Sequence, residues 1–99
     1  MGITRVFSAL WRDRPTEHGL QIVILDRGFV YVGRVTTDKR WCLIINAMNV
    51  RRWGTTKGLG ELAAKGPLEA TELDSSGTVR APMSAVIALV ACAESEWTK

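Results

Sequence analysis

The residues best suited to binding a ligand form two adjoining groups near the middle of the chain. They are Arg51, Arg52 and Trp53, followed after one glycine by Thr55, Thr56 and Lys57. Arginine donates paired hydrogen bonds to phosphate, and a tryptophan ring offers a flat surface on which a base can stack. Threonine hydroxyls and a lysine ammonium add donors for the same kind of anion. This composition is typical of a site for a phosphate-bearing ligand.

The first group is expected to lie on a strand, where side chains alternate between two sides. Arg51 and Trp53 would then point one way and Arg52 the other, so that one arginine can hold phosphate while the ring meets a base. Neighbouring strands add further candidates for the same ligand, namely Arg27, Tyr31 and Arg34. The alternative is that the aromatic residues belong to the core, which is the favoured interpretation for Phe29 and Trp41.

The second group is expected to lie in a polar loop that leads into a helix. Leu59, Leu62 and Ala63 form a helical stripe that ends at Gly66-Pro67. Unpaired N–H groups and the positive end of a helix dipole attract anions at such a junction. The order Thr-Thr-Lys-Gly differs from a Walker loop, in which the lysine follows the glycines. The alternative is that Thr55 or Thr56 only caps the helix.

Residues for catalysis are sparse. His18 is the single histidine, so a histidine-rich metal site is excluded and a Ser-His-Asp triad has one possible centre. Cys42 lies in an apolar run, where its pKa should rise. Four carboxylates of the second half look like a solvated acidic surface, namely Glu61, Glu69, Glu72 and Asp74. The sequence therefore predicts a binding protein rather than an enzyme, with no cofactor and no metal.

Positive charge is concentrated in the middle third of the chain. Residues 26–57 carry seven cations against two carboxylates, a net of +5, whereas residues 58–99 sum to −3. Such an asymmetry favours an anionic partner, either a small phosphate-bearing molecule or, as second choice, nucleic acid. The alternative is ordinary solvated charge on strand faces and turns.

Length and composition indicate one globular domain over residues 1–99. The chain is 46% hydrophobic and 23% charged, and a domain this small gains stability from association, so we expect a homo-oligomer. Cys42 and Cys92 stand in apolar runs without Cys-x-x-Cys spacing, which predicts buried thiols in a reducing cytoplasm. No signal sequence, apolar span or lipidation motif is visible, so no membrane partner is expected.

The elements that must position these residues predict an α+β, β-rich fold. We expect a small antiparallel sheet or partly open barrel of five to seven strands, with one short helix after the Arg-Arg-Trp strand. Leu20–Leu25 and Phe29–Val35 predict a hairpin with Arg27 at its tip. Gly33 in the middle of its strand indicates a bulge or a close backbone approach.

The rest of the chain supplies further strands and a short closing helix. An apolar stripe at helical spacing in residues 1–19 predicts an N-terminal helix or arm, and residues 20–96 form the core. The expected elements along that core are an interior strand Trp41–Ile45 resumed at Val50–Trp53, an edge strand Leu68–Leu73, a turn Asp74–Gly77, a strand Val79–Met83, a closing strand Val86–Cys92 and a helical turn within Ala93–Lys99.

The order of these motifs resembles a family of small phage and prophage proteins. The matching residues are Arg51-Arg52-Trp53, Leu59-Gly60-Glu61-Leu62-Ala63, Gly66 and Cys92-Ala93-Glu94, and the likeness covers roughly residues 20–96. The family looks related to the Thoeris anti-defence sponge proteins of the first type. Those are β-rich oligomers that sequester cyclic nucleotide immune signals, including cyclic oligonucleotides in some members.

The resemblance implies a phage anti-defence protein that captures a cyclic nucleotide in the host cytoplasm without cleaving it. Arginines and aromatic residues at subunit interfaces would hold phosphate and base, which maps here onto Arg51, Arg52 and Trp53. The loop after Trp53 departs from the family pattern and is expected to decide what is captured. The alternative function is a protein-binding inhibitor of a host defence complex, or a nucleic-acid-binding accessory protein.

Overall fold

Five strands and two short helices make up residues 14–98, the part of the chain that the computed structural model describes. The strands are β1 (Thr16–Leu25), β2 (Val30–Thr37), β3 (Trp41–Arg52), β4 (Glu72–Pro82) and β5 (Val86–Ala91), and the helices are α1 (Leu59–Lys65) and α2 (Glu94–Trp97). The predicted N-terminal helix or arm lies mostly outside the described residues, and β1 begins within its range, at Thr16.

The strands form one open antiparallel sheet in the order β4-β3-β2-β1-β5, which confirms the predicted β-rich α+β class. The edge strands β4 and β5 are consecutive in sequence and are joined only by the 3₁₀ turn Met83–Ala85. The backbone N–H of Met83 donates to the carbonyl of Arg40, 2.8 Å away, in the turn between β2 and β3. Because so short a link connects opposite edges, the sheet is strongly bent.

Apolar side chains pack on both faces of this sheet. One cluster, which defines the inner face, includes Val23, Val35, Ile44 and Ala81, so β1, β2, β3 and β4 all contribute. The cluster on the opposite, outer face includes Ile22, Val32, Val50, Leu62 and Ala63. Helix α1 covers part of the outer face with Leu62, whose side chain is fully buried. The indole N–H of Trp97 in α2 donates to the Ala63 carbonyl at 3.0 Å.

Several elements agree with the sequence prediction. The hairpin of β1 and β2, helix α1, strand β5 and the final helical turn α2 lie where they were expected. Gly66 ends α1 with a φ of 79°, a conformation that favours glycine. At Gly33 the register between β2 and β3 shifts, and an added Cβ would lie 2.7 Å from Ile44 Cγ2. The predicted bulge or close approach at Gly33 is therefore confirmed.

Strands β3 and β4 differ from the prediction. β3 runs without a break from Trp41 to Arg52, because a bulge with Asn46 at φ 52° absorbs the polar residues in its middle. The predicted turn Asp74–Gly77 is wrong, since these residues lie within β4 and pair with β3 across shifts in register. The predicted edge strand Leu68–Leu73 is also wrong over most of its length, because β4 begins only at Glu72.

Candidate functional site

Arg51 lies near the end of β3 and is held by carboxylates of the neighbouring strand. Its Nε donates to Asp74 Oδ2 at 2.8 Å, and its Nη2 lies 3.9 Å from Glu72 Oε1. Both partners come from β4, which pairs with β3 through Asn49 and Asp74 and through Arg52 and Glu72. The positive charge of this guanidinium is therefore largely balanced within the chain.

Arg52 has a different environment from its neighbour. The register between β3 and β4 shifts between Val50 and Arg52, and Arg52 is the residue that pairs with Glu72. The residue is exposed, and its side chain makes no hydrogen bond or ion pair with any residue of the described part of the chain. Its donors are available to an external anion.

Trp53 is 44% exposed and held in place by its surroundings. Its carbonyl accepts a 2.7 Å hydrogen bond from the hydroxyl of Thr71. The next residue, Gly54, has a φ of 68° and packs so closely that a Cβ would lie 2.4 Å from the backbone of Ala70. The indole ring lies against Gly58, where an added Cβ would be 3.9 Å from Cζ3. The ring therefore lies beside the loop segment that carries Lys57.

The loop itself is closed by internal hydrogen bonds. Thr55 Oγ1 donates to the Gly58 carbonyl at 2.8 Å, and the Thr56 backbone N–H donates to Glu61 Oε1 at 3.1 Å. The Lys57 backbone N–H also hydrogen-bonds the Glu61 carboxylate. The donors that were predicted to bind phosphate at the helix start therefore hold a carboxylate of the same chain. By contrast, the Lys57 ammonium makes no ion pair within residues 14–98.

Glu61 is correspondingly not a solvated surface carboxylate, as the sequence suggested. Its side chain is only 9% exposed, and Lys65 Nζ lies 3.5 Å from its second oxygen. Burial raises the pKa of this carboxyl, but the N–H donors of Thr56 and Lys57 and the Lys65 ammonium outweigh burial, so the pKa lies below its usual value. Glu72 and Asp74 are likewise partners of Arg51 rather than a free acidic surface.

Arg27, Tyr31 and Arg34 lie in three different places. Arg27 is exposed in the 3₁₀ turn after β1, with a φ of 66°. Tyr31 is half-buried and packs against the inner cluster. Arg34 forms an ion pair with Glu94 of α2, with Nη2 2.5 Å from Oε1. Trp53, Arg52 directly before it and Lys57 in the loop segment beside its ring are called the Trp53 surface below.

Two aromatic residues that were predicted to belong to the core, Trp41 and Phe29, are exposed. Trp41, at the start of β3, is 39% exposed, and the guanidinium carbon of Arg80 lies 4.3 Å from the centre of its ring. Phe29 was also expected in the core and is 54% exposed. Trp41–Ile45 is apolar at every position, which predicts burial on both faces, but the described helices cover only the other half of the outer face.

The thiols and the histidine have identifiable environments. Burial raises the pKa of Cys42, as predicted. Burial, reinforced by the charge of Glu94 and partly opposed by a hydrogen bond from the Ile22 backbone, raises the pKa of Cys92 to about 11. His18 Nε2 lies 2.7 Å from the hydroxyl of Thr37. Within the described residues, no group of three or more His, Cys, Asp or Glu side chains is arranged to hold a metal ion.

No helix in residues 14–98 combines the length and the apolar character needed to cross a bilayer. The comparisons with known proteins found no matching family model, no matching curated protein and no matching solved structure.

Proposed function

We propose that this chain is a non-catalytic protein that captures a phosphate-bearing nucleotide on the Trp53 surface and holds it without cleaving it. One observation carries the proposal: Arg52 and Lys57 have no partner within the described residues, Arg52 directly precedes the exposed Trp53, and Lys57 precedes Gly58, against which the indole lies. Two cations beside a flat ring provide charge for phosphate and a stacking surface for a base.

The resemblance to the Thoeris anti-defence sponges makes a cyclic nucleotide immune signal the first candidate ligand. In that setting the chain would act in the host cytoplasm as a phage or prophage product, as a homo-oligomer that lowers the free concentration of the signal. Sequestration requires affinity but no reacting group, which agrees with a surface made of cations and an indole.

The environments of the two arginines predict which one matters more. A charge-assisted hydrogen bond contributes about 1.5 to 3 kcal/mol, so loss of Arg52 should weaken nucleotide binding by roughly 10 to 100-fold. Arg51 donates to Asp74, and an external phosphate would have to compete with that carboxylate. Arg51→Ala should therefore weaken binding much less, which makes it a matched control of the same residue type on the same strand.

The experiment is a capture-and-release assay with a panel of cyclic dinucleotides, cyclic trinucleotides and cyclic ADP-ribose isomers. Each nucleotide is incubated with the protein, the unbound fraction is collected by filtration, and the protein is heated to release what it held. Depletion followed by release of intact ligand supports the proposal, provided that Arg52→Ala, Lys57→Ala and Trp53→Ala each reduce depletion. Release of an altered molecule would indicate an enzyme, and equal capture by wild type and Arg52→Ala would contradict the assigned surface.

A further inference from the structure

We propose a second binding surface, for single-stranded nucleic acid, on the half of the outer sheet face that no described helix covers. Its centre is a row of alternate β3 side chains, Trp41, Leu43 and Ile45, with Arg80 of β4 stacked on the tryptophan. We call this the Trp41 face. It is separate from the Trp53 surface, which lies at the other end of β3, and the proposal does not depend on nucleotide capture there.

The placement of this row follows from strand alternation. Cys42 and Ile44 point into the inner cluster, so Trp41, Leu43 and Ile45 point to the outer side. None of the three belongs to the outer cluster beneath α1 and α2, and both Trp41 and Ile45 are 39% exposed. A row of three alternate residues spans about 13 Å of strand, which offers a continuous apolar strip rather than a single exposed side chain.

The charge around this row favours an anionic occupant. Register places Arg80 opposite Leu43, and the outer-face residues that β3 and β4 contribute here carry no carboxylate. Arg40 in the adjoining turn adds a second cation, whose charge contributes to lowering the pKa of Asp38. The nearby carboxylates are engaged or peripheral: Asp38 accepts the N–H groups of Arg40 and Trp41 at 2.7 Å, and Glu94 is paired with Arg34. Glu17 borders the face on the β1 side, opposite Thr36.

The stacked pair distinguishes nucleic acid from other anions. The Arg80 guanidinium lies over the Trp41 ring, and unpaired bases stack on both aromatic rings and arginine planes. Such stacking tolerates any sequence because every base has a π-face. A duplex keeps its bases stacked on one another, so the expected occupant is a single strand.

The test uses fluorescence anisotropy of labelled oligothymidine and oligouridine of about twelve nucleotides, a length within the range that one small domain occupies. We expect the wild-type chain to bind both, with an affinity that falls as salt rises and is lower for a duplex of equal length. Trp41→Ala and Arg80→Ala should each weaken binding by about tenfold. Phe29→Ala is the control, because it removes an exposed ring just before the start of β2, whereas the Trp41 face lies beside the end of β2, so oligonucleotide binding should be unchanged.

Three results would overturn the proposal. The first is no binding of either oligonucleotide by the wild-type chain. The second is wild-type affinity in both Trp41→Ala and Arg80→Ala, and the third is an equal loss of affinity in Phe29→Ala. If Trp41→Ala unfolds, Trp41→Phe and Arg80→Gln probe the same contact, and binding unaffected by Arg80→Gln would count against it. Self-association in sedimentation that Ile45→Lys abolishes, without oligonucleotide binding, would assign the face to a contact between copies instead.

Discussion

Arg51 and Arg52 show how one step along a strand changes what the same side chain can do. Arg51 meets Asp74 and Glu72 of β4, whereas no residue in the described part of the chain neutralises Arg52. Exposed ion pairs contribute little to stability, about 0 to 1 kcal/mol, but they still compete with an external anion for the same donors. At this strand end we therefore expect Arg52, rather than Arg51, to be the arginine that an external anion can engage.

Glu61 is a residue whose protonation should affect folding. Its pKa is lowered in the folded chain, so its contribution to stability is complete above the unfolded value of about 4.3 and is lost as the pH falls through the folded value. Glu61→Gln removes that charge at every pH. We expect the difference in urea midpoint between wild type and Glu61→Gln to be largest near neutral pH and to shrink below about pH 4.

The pKa of Asp38 is also lowered, because its carboxylate accepts hydrogen bonds from the Trp41 and Arg40 backbone. Both proteins contain Asp38, so its effect on the urea midpoint cancels when they are compared at the same pH. Glu69→Gln is a matched control, because Glu69 is exposed and its side chain forms no hydrogen bond or ion pair with the described residues. A constant difference between wild type and Glu61→Gln from neutral to acidic pH would show that the loop does not depend on the carboxylate charge.

Among the helices and strands, those that a single local sequence pattern determines were predicted correctly. The β1–β2 hairpin follows from two apolar runs separated by Asp26–Gly28, and α1 follows from a helical stripe that stops at Gly66. The end of β4 agrees with the predicted strand Val79–Met83, but its first half could not be predicted, because Asp74–Gly77 has the composition of a turn. Pairing with β3 overrides that local preference, and bulges accommodate the unfavourable residues.

The unpredicted first half of β4 also limited what the sequence could predict about the site. The cations and the indole of the Trp53 surface were visible in the sequence, but the acids that hold Arg51 lie on β4 and were assigned to a turn and a free surface. Likewise, only the fold shows that Glu61 reaches back to the Thr56 N–H. Which donors remain available depends on pairing between distant segments, and composition alone does not determine it.

Two glycines in different elements should respond oppositely to alanine. In strand β2, a Cβ at Gly33 would lie 2.7 Å from Ile44 Cγ2 and 2.9 Å from the Ile45 carbonyl, so Gly33→Ala should destabilise the protein by about 1 to 3 kcal/mol. In helix α1, nothing lies within 4 Å of a Cβ at Gly60, so Gly60→Ala should stabilise it by about 0.5 to 1 kcal/mol. Urea unfolding measures both, and an unchanged midpoint for Gly33→Ala would contradict the tight packing of β2 on β3.

At the scale of the whole molecule, the two faces of the sheet share their strands. β1 contributes Val23 to the inner cluster and Ile22 to the outer one, and β3 contributes Ile44 and Val50 in the same way. Removing either cluster would expose the strands on which the other packs. The two clusters should therefore unfold together, in a single transition typical of small domains.

The two cysteines provide a native probe for each face, since Cys42 belongs to the inner cluster and Cys92 packs against the outer one. If the faces unfold together, both thiols should be protected from alkylation by the same free energy. Leu62→Ala, which removes a fully buried contact of α1 on the outer face, should lower that free energy by about 2 to 5 kcal/mol at both cysteines.

The measurement is mass spectrometry of each thiol after alkylation in increasing urea at constant pH, comparing each cysteine with itself in wild type and variant so that its raised pKa cancels. Ile87→Ala is the control, because Ile87 is 63% exposed and its loss should change stability by no more than about 0.5 kcal/mol. Faster labelling of Cys92 alone in Leu62→Ala would mean that the helical layer opens without the sheet. An equally faster alkylation of Cys42, which lies on the opposite face from Leu62, would show that the loss of stability on one face extends to the other through the strands they share.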